Sequence, residues 1–419
     1  MRPRGAQPTL FWPLLLALPV GLMLLNAVLR VVNLFPHEVS DEGNWSRLFY
    51  LIGQGYEPPV SGPLFVWLVN EIYDHLPFPY DSVISSLAIL SSGALYTLLI
   101  WGYQKVLVHR DIVLGAALML LMTSYFLAPA IEARPQQLGV ALTFIICLSA
   151  MGNTSRLAIW LPVTLTLLMF WHVLSFFVAV AYLTLWMLAK WRLGLLRARK
   201  FGCWALICGL LILVLGQSQG YHPLFRDVFS NHAVTPFALV LSGVTATVVV
   251  LGILAIPLSV WARLKGALQD NRFGAVPALL GLSALPLALQ WYLLPGASLA
   301  HYRVPGTISF IWQAGNLAFL VCYIQGLKSF AESEDRQLRP FVHGSLILGV
   351  LAVAALSASY FLAHMNWLIR LLYYWIPFAA PVSLLGFRQL FLKFKLLGYA
   401  AGLSFMLASL SHTVRYGVP

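Results

Sequence analysis

From Leu157 to Ala189 the chain carries no charged residue. At about 1.5 Å per residue, a helix of that length overruns the roughly 30 Å of a bilayer core. The run therefore reads as two short helices that turn back at Trp171-His172. Similar uncharged stretches run from Leu10 to Leu29, Leu138 to Met151 and Leu239 to Trp261. Strands of a membrane barrel alternate polar and apolar residues, and these stretches do not. Only 10% of the chain is charged and 60% is hydrophobic, whereas a soluble domain is about one quarter charged. The expected fold is all-α: a polytopic integral membrane protein, with residues 1–419 forming one transmembrane domain and no separate soluble domain.

Hydropathy places about thirteen spans, at 10–34, 82–104, 112–128, 137–151, 157–171, 173–189, 201–217, 238–261, 274–294, 307–327, 341–362, 368–390 and 396–411. The first follows Arg2 and Arg4, as a signal peptide would. It is longer than such an apolar region and no small-residue cleavage site follows, so it reads as a retained span. With alternate loops compared, the 26 lysines and arginines divide nineteen to seven. The smaller set is Arg30, Arg47, Arg134, Arg226, Arg303, Arg370 and Arg415. The basic side is cytoplasmic, so the N-terminus is expected inside a plasma (inner) membrane and the C-terminus outside. The net charge of +12 follows from this topology and implies no nucleic-acid partner. Acidic residues go the other way, and nine of the fourteen fall on the external side. Cys147, Cys203, Cys208 and Cys322 are scattered through the spans and read as small packing side chains. There is no P-loop and no nucleotide-binding glycine fingerprint, which argues against a nucleotide-sugar donor.

The longest external loop is the first, residues 35–81. It opens on "FPHEVSDEGNW", with His37, Glu38, Asp41 and Glu42 within six residues. Trp45, Leu48, Phe49, Leu51 and Ile52 follow at helical spacing and predict an amphipathic helix on the membrane surface. "PLFVWLVNEIYDHL" predicts a second, ended by Pro77 and Pro79. Acidic residues at a helix start are ordinary complements to the macrodipole. At a membrane face, though, charge is costly unless solvated or used.

"SDEGNWSRLFYLIGQGYEPPVSGPLFVWLVNEIY" resembles the first external loop of the GT-C superfamily of membrane glycosyltransferases. The resemblance is to the protein O-mannosyltransferase and lipid A aminoarabinose transferase branch. The Asp41-Glu42 pair, the interfacial helix and the Pro63–Leu68 stretch match in order. Ser61-Gly62 stands where the bacterial branch usually has a lysine. "EARPQQLGVAL" (Glu132 to Leu142) resembles the family's arginine-bearing loop. "YHPLFRDVFSNHAVTPF" (Tyr221 to Phe237) resembles a loop with a His or Asn near its end, with Pro236-Phe237 in place of a closing Arg-Phe. "SLAHYRVPGT" (Ser298 to Thr307) is similar to a Lys-Leu-Pro-His-Tyr motif, with Ser298 at the lysine position.

The resemblance implies a sugar donor on a polyprenyl phosphate or diphosphate, and transfer at the outer face to a lipid, glycan or protein acceptor. Asp41 is the candidate base for the acceptor hydroxyl. Glu42 could orient it, hold the acceptor or share a divalent cation with it. Asp41 and Glu38 are candidate oxygen ligands for such a cation. A departing lipid phosphate calls for guanidinium groups. Arg303, beside His301 and Tyr302, is the first candidate and Arg134 the second, with a salt bridge from Arg134 to Glu132 or Asp41 as the rival reading. Arg226, His232 and His172 are candidate substrate contacts; pairing with Asp227 is the alternative for Arg226, and capping of its turn for His172. Arg370 reads as a helix anchor. The rival functions are a transporter or lipid-glycan flippase, which calls for mid-membrane charges and broken helices, and a non-catalytic scaffold.

Overall fold

The computed structural model describes residues 11–32, 34, 48–51, 54, 62–76, 78–151, 157–192, 207, 314–333, 335–362, 366–391 and 396–416. Among them, regular structure is entirely helical. The elements are α1 (Phe11–Val31), α2 (Pro63–His75), α3 (Tyr80–Val106), α4 (Arg110–Leu121), α5 (Ser124–Ile131) and α6 (Pro135–Met151). There follow α7 (Leu157–Trp171), α8 (Val173–Arg192), α9 (Ala314–Ser333), α10 (Arg339–Leu362), α11 (Asn366–Leu390) and α12 (Leu396–Tyr416). Two of these, α1 and α3, are long and apolar enough to cross a membrane, and the bent pair α4–α5 makes a third if it counts as one span. The spans expected at 201–217 (but for residue 207), 238–261 and 274–294 lie outside the described residues.

Most helix ends fall close to the expected ones, because the apolar runs that set them are bounded by charge or proline; α9 runs on to Ser333, past its expected end at 327, and α12 to Tyr416, past 411. The hairpin at Trp171-His172 is present, with α7 ending at Trp171 and α8 starting at Val173. One span differs. The run at 112–128 is not a continuous helix: it breaks after Leu121 and bends by 79°. Thr123 is extended there, and its hydroxyl accepts from the Tyr125 N–H. Asn316 of α9 completes the break. Its Oδ1 accepts from the Ser124 N–H at 3.0 Å and lies 2.6 Å from Thr123 Oγ1. Ser409 of α12 donates to the Met122 carbonyl at 2.6 Å. Backbone groups freed by a break in an apolar setting need such partners.

The core centres on α11, which packs against α9, α10 and α4. Glycines allow the closest approach: a Cβ on Gly386 would collide with the Cys322 carbonyl, and one on Gly326 with that of Val382. Pro377 and Pro381 both lie inside α11. Proline has no N–H, so Pro381 leaves the Pro377 carbonyl without its helical donor. The buried Tyr103 hydroxyl of α3 donates to that carbonyl at 2.8 Å. Around it Phe144, Phe341 and Phe378 close the core with tilted and edge-on ring contacts. Cys147 and Cys322 are buried free thiols, packed as small side chains.

The two ends of the bundle differ in chemistry. At one end Arg110 lies over the Trp12 ring at 5.4 Å, and Arg388 pairs with Asp111 at 2.7 Å. The Val108 N–H donates to Gln337 there. These elements belong to the basic loop set, so the charge asymmetry read along the chain is gathered in space. At the other end lie the C-terminus of α1, the α5–α6 link and the α7–α8 turn.

The Tyr103–Pro377 bond is open to a double-mutant test. Tyr103→Phe is expected to cost about 1–3 kcal/mol, the penalty for a buried carbonyl left unmatched. On a Pro381→Ala background, where the helical N–H returns, the same change is expected to cost less. Equilibrium unfolding of the four proteins in detergent measures both.

Candidate functional site at the polar end of the bundle

Polar side chains enter this end from six helices and from the links between them. Arg30, in the last turn of α1, donates to Asn26 Oδ1 at 2.9 Å, Ser85 Oγ at 3.1 Å and the Ile131 carbonyl at 3.0 Å. It thereby ties α1 to α3 and to the end of α5. Asn26 itself is fully buried and donates to the Ala88 carbonyl. On α6, Gln137 donates to the Ala130 carbonyl at 2.7 Å and accepts from Ser91 of α3 at 2.6 Å. The carbonyls at the end of α5 thus receive side-chain donors in place of the helical ones they lack.

In the short α5–α6 link, Arg134 and Glu132 form an ion pair. Both are buried, at 5% and 1% exposure. Of the two readings the sequence allowed for Arg134, pairing with Glu132 is the one present. The phosphate role stands beside it as an expectation.

The α7–α8 turn supplies the third group. Trp171 Nε1 donates to the Pro135 carbonyl at 2.7 Å. Next to it the buried His172 caps α8: its Nδ1 accepts from the Ser175 N–H at 3.2 Å and lies 2.7 Å from Ser175 Oγ. That hydroxyl is 2.6 Å from the Tyr374 hydroxyl of α11. Gln136 lies beside Tyr374, but its buried Nε2 makes no hydrogen bond of good geometry. Arg370, one turn before Tyr374, is close enough for its charge to act on the same hydroxyl.

The first loop covers this region. Residues 48–51 are helical and α2 runs from Pro63 to His75, as the helical spacing predicts. They pack as one apolar cluster on the start of α3. Phe49 is fully buried, stacks on Tyr80 at 5.8 Å and meets Phe65 at 6.5 Å. Phe65 meets the edge of Trp171 at 5.9 Å, and Ala133 belongs to the same cluster. Gly62 closes the contact, because a Cβ there would collide with the Trp171 carbonyl and crowd Pro135. The helices beside Asp41-Glu42 in sequence are therefore seated over the Glu132–Arg134 link.

Asp41, Glu42, Glu38, His301, Tyr302, Arg303, Arg226 and His232 lie outside the described residues. Arg134 and His172 lie inside them and are brought to the same end. Sequence reading missed Ser175, Tyr374, Gln136, Gln137 and the span-tying role of Arg30. Their signal was modest: polar residues at the ends of uncharged runs, with nothing in the spacing to pair them. Against known proteins, no family model and no curated sequence matches the chain.

Breaking a buried pair leaves a lone charge, which costs about 3–5 kcal/mol. Arg134→Gln and Glu132→Gln are each expected to destabilise the protein by that order. The Arg134→Gln/Glu132→Gln double variant is expected to lose less than the two singles together. Thermal unfolding in detergent reads the difference.

Proposed function

We propose that this chain is a polytopic membrane glycosyltransferase of the GT-C type, moving a sugar from a polyprenyl phosphate to an acceptor hydroxyl at the external face. One observation supports it above the others. The helices of the first loop, which follows the Asp41-Glu42 pair, are seated on the end of the bundle that gathers Arg134, His172 and Arg30. That end belongs to the loops poor in lysine and arginine, and the opposite end holds the basic ones.

The mechanism is a single displacement. The acceptor oxygen attacks the anomeric carbon while Asp41 takes its proton, with Glu42 holding or orienting the acceptor. The bond from that carbon to the phosphate oxygen breaks, and the phosphate leaves with the electron pair. Arg303, with His301 and Tyr302, receives the developing charge, and Arg134 adds to it. Arg226, His232 and His172 contact the substrates. A divalent cation on Asp41 and Glu38 would lower the charge of the acidic cluster. Both residues fall outside the described ones, and no step of the mechanism runs through the ion.

A transporter or lipid-linked glycan flippase is the second reading, and the 79° break between α4 and α5 is what favours it. Broken helices line transporter sites. Here the break is closed by Asn316, Ser409 and two hydroxyls of its own, none of them ionisable.

Asp41→Asn is expected to lower transfer by about 10²–10⁴-fold while lipid-phosphate binding persists. Arg303→Ala is expected to weaken that binding. Transfer of a radiolabelled sugar from polyprenyl phosphate in membranes tests the first, and undiminished transfer by Asp41→Asn removes the base assignment.

A further inference from the structure

A sharp break inside an apolar run usually marks a proline or a glycine. The break between α4 and α5 falls at Met122-Thr123-Ser124 and has neither. Its backbone change is confined to one residue. Met122 is still helical, at φ −75° and ψ −9°, and Ser124 opens α5. Thr123 between them is extended, at φ −121° and ψ 128°. Side chains take over at three backbone groups. The Tyr125 N–H donates to the hydroxyl of Thr123 itself at 3.2 Å. The Ser124 N–H donates to Asn316 Oδ1 at 3.0 Å, and the Met122 carbonyl accepts from Ser409 at 2.6 Å. The first of these is local. The other two come from α9 and α12.

A straight helix here would need neither distant partner. Residues 112–131 carry no charge, and 110–131 as one helix would measure about 33 Å, against the roughly 30 Å of a bilayer core. Its backbone bonds would then be internal. Pro129 lies within α5 and leaves the Tyr125 carbonyl without a helical donor whether the helix is bent or straight, so it favours neither form. The bend is therefore imposed by packing partners. Gly315 shows how closely they press: a Cβ on it would collide with the Met122 carbonyl and the Ser409 hydroxyl. Asn316 uses both ends of its amide, with Oδ1 2.6 Å from Thr123 Oγ1 and Nδ2 donating to Ser124 Oγ at 2.9 Å. At its far end α5 carries the Ala130 and Ile131 carbonyls that Gln137 and Arg30 bind. The Glu132–Arg134 pair follows directly. The angle at Thr123 thus decides whether that pair sits at the polar end.

We propose that Thr123 is a one-residue hinge and that Asn316, with Ser409, is the latch that holds it extended. With the latch released, Thr123 turns helical, residues 110–131 become one straight helix, and α5 withdraws from the polar end. The inference goes beyond the sugar-transfer reading and does not rest on it. Bent is the resting form, because α5 is buried and packs against α3, α11 and α12. The latch sets how far the balance lies toward it.

Thr123 can be made to report on the hinge by itself. Met122-Thr123 is the only Met-Thr pair in the chain. Labelling the methionine carbonyl with ¹³C and threonine with ¹³C and ¹⁵N therefore selects its signal in solid-state NMR of the full chain in lipid bilayers. The Cα and Cβ shifts separate extended from helical threonine. The wild type is expected to be extended. Asn316→Ala is expected to move the signal to the helical position, and Ser409→Ala to add a helical fraction beside the extended one. Ser124→Pro supplies the rescue. A proline at the first position of a helix has no N–H to satisfy and keeps the residue before it extended. Asn316→Ala/Ser124→Pro is therefore expected to return the extended signal. If Asn316→Ala alone does not fold, recovery of folded protein by Ser124→Pro supports the latch in the same way. A helical Thr123 in the wild type overturns the hinge. An extended Thr123 in folded Asn316→Ala overturns the latch, and so does a failure of Ser124→Pro to restore either the signal or the fold.

Discussion

Apolar side chains cover the outside of this bundle as well as its inside. Trp12, Leu16, Leu24 and Val31 of α1 are at least half exposed, as are Leu396, Tyr399, Leu403 and Leu407 of α12. Polar groups therefore have two destinations: each other, or the ends. Three polar side chains show that rule at work. Tyr103 answers a carbonyl stripped by a proline, Asn316 answers a helix break, and Arg30 answers the open carbonyl of Ile131. A buried donor or acceptor without a partner costs more than a good bond gains, so these pairings fix which helices meet and in what register.

The same rule concentrates chemistry. Charged residues are scarce, and the ion pair of Arg134 with Glu132 lies where three chain reversals converge. The α5–α6 link carries the pair, the α7–α8 turn brings His172 and Trp171, and the first loop brings Phe49 and α2. Apolar ring contacts among Phe49, Phe65, Tyr80 and Trp171 hold that assembly together from above. Polar bonds among Arg30, Gln137 and Ser91 hold it from below. The result is a polar floor under an aromatic cover, adjacent in sequence to the acidic cluster at 38–42.

Much of the fold was legible because apolar runs bounded by charge admit few readings. The turn at Trp171-His172 followed from length alone. The two helices of the first loop followed from the spacing of Leu48, Phe49 and Leu51 and from the proline-bounded stretch at 63–75. The break at Thr123 was not legible. Two small hydroxyl residues inside an apolar run do not interrupt hydropathy, and their partner Asn316 is 192 residues from Ser124. The site divides in the same way. Arg134 and Glu132 are neighbours in sequence, and their pairing could be weighed in advance. Tyr374 reaches His172 across 202 residues, and no local pattern announces it. Long-range partners become visible only once packing brings their helices together.

The central claim is that a lipid phosphate docks at this polar end. Photo-crosslinking with a polyprenyl phosphate carrying a photoreactive group near its phosphate, followed by peptide mapping, addresses it most directly. The account predicts saturable labelling confined to the α5–α6 link, the α7–α8 turn, the start of α11 and the first loop, competed by unlabelled polyprenyl phosphate. Labelling at the opposite, basic end, or labelling that an ordinary phospholipid competes equally well, would contradict it.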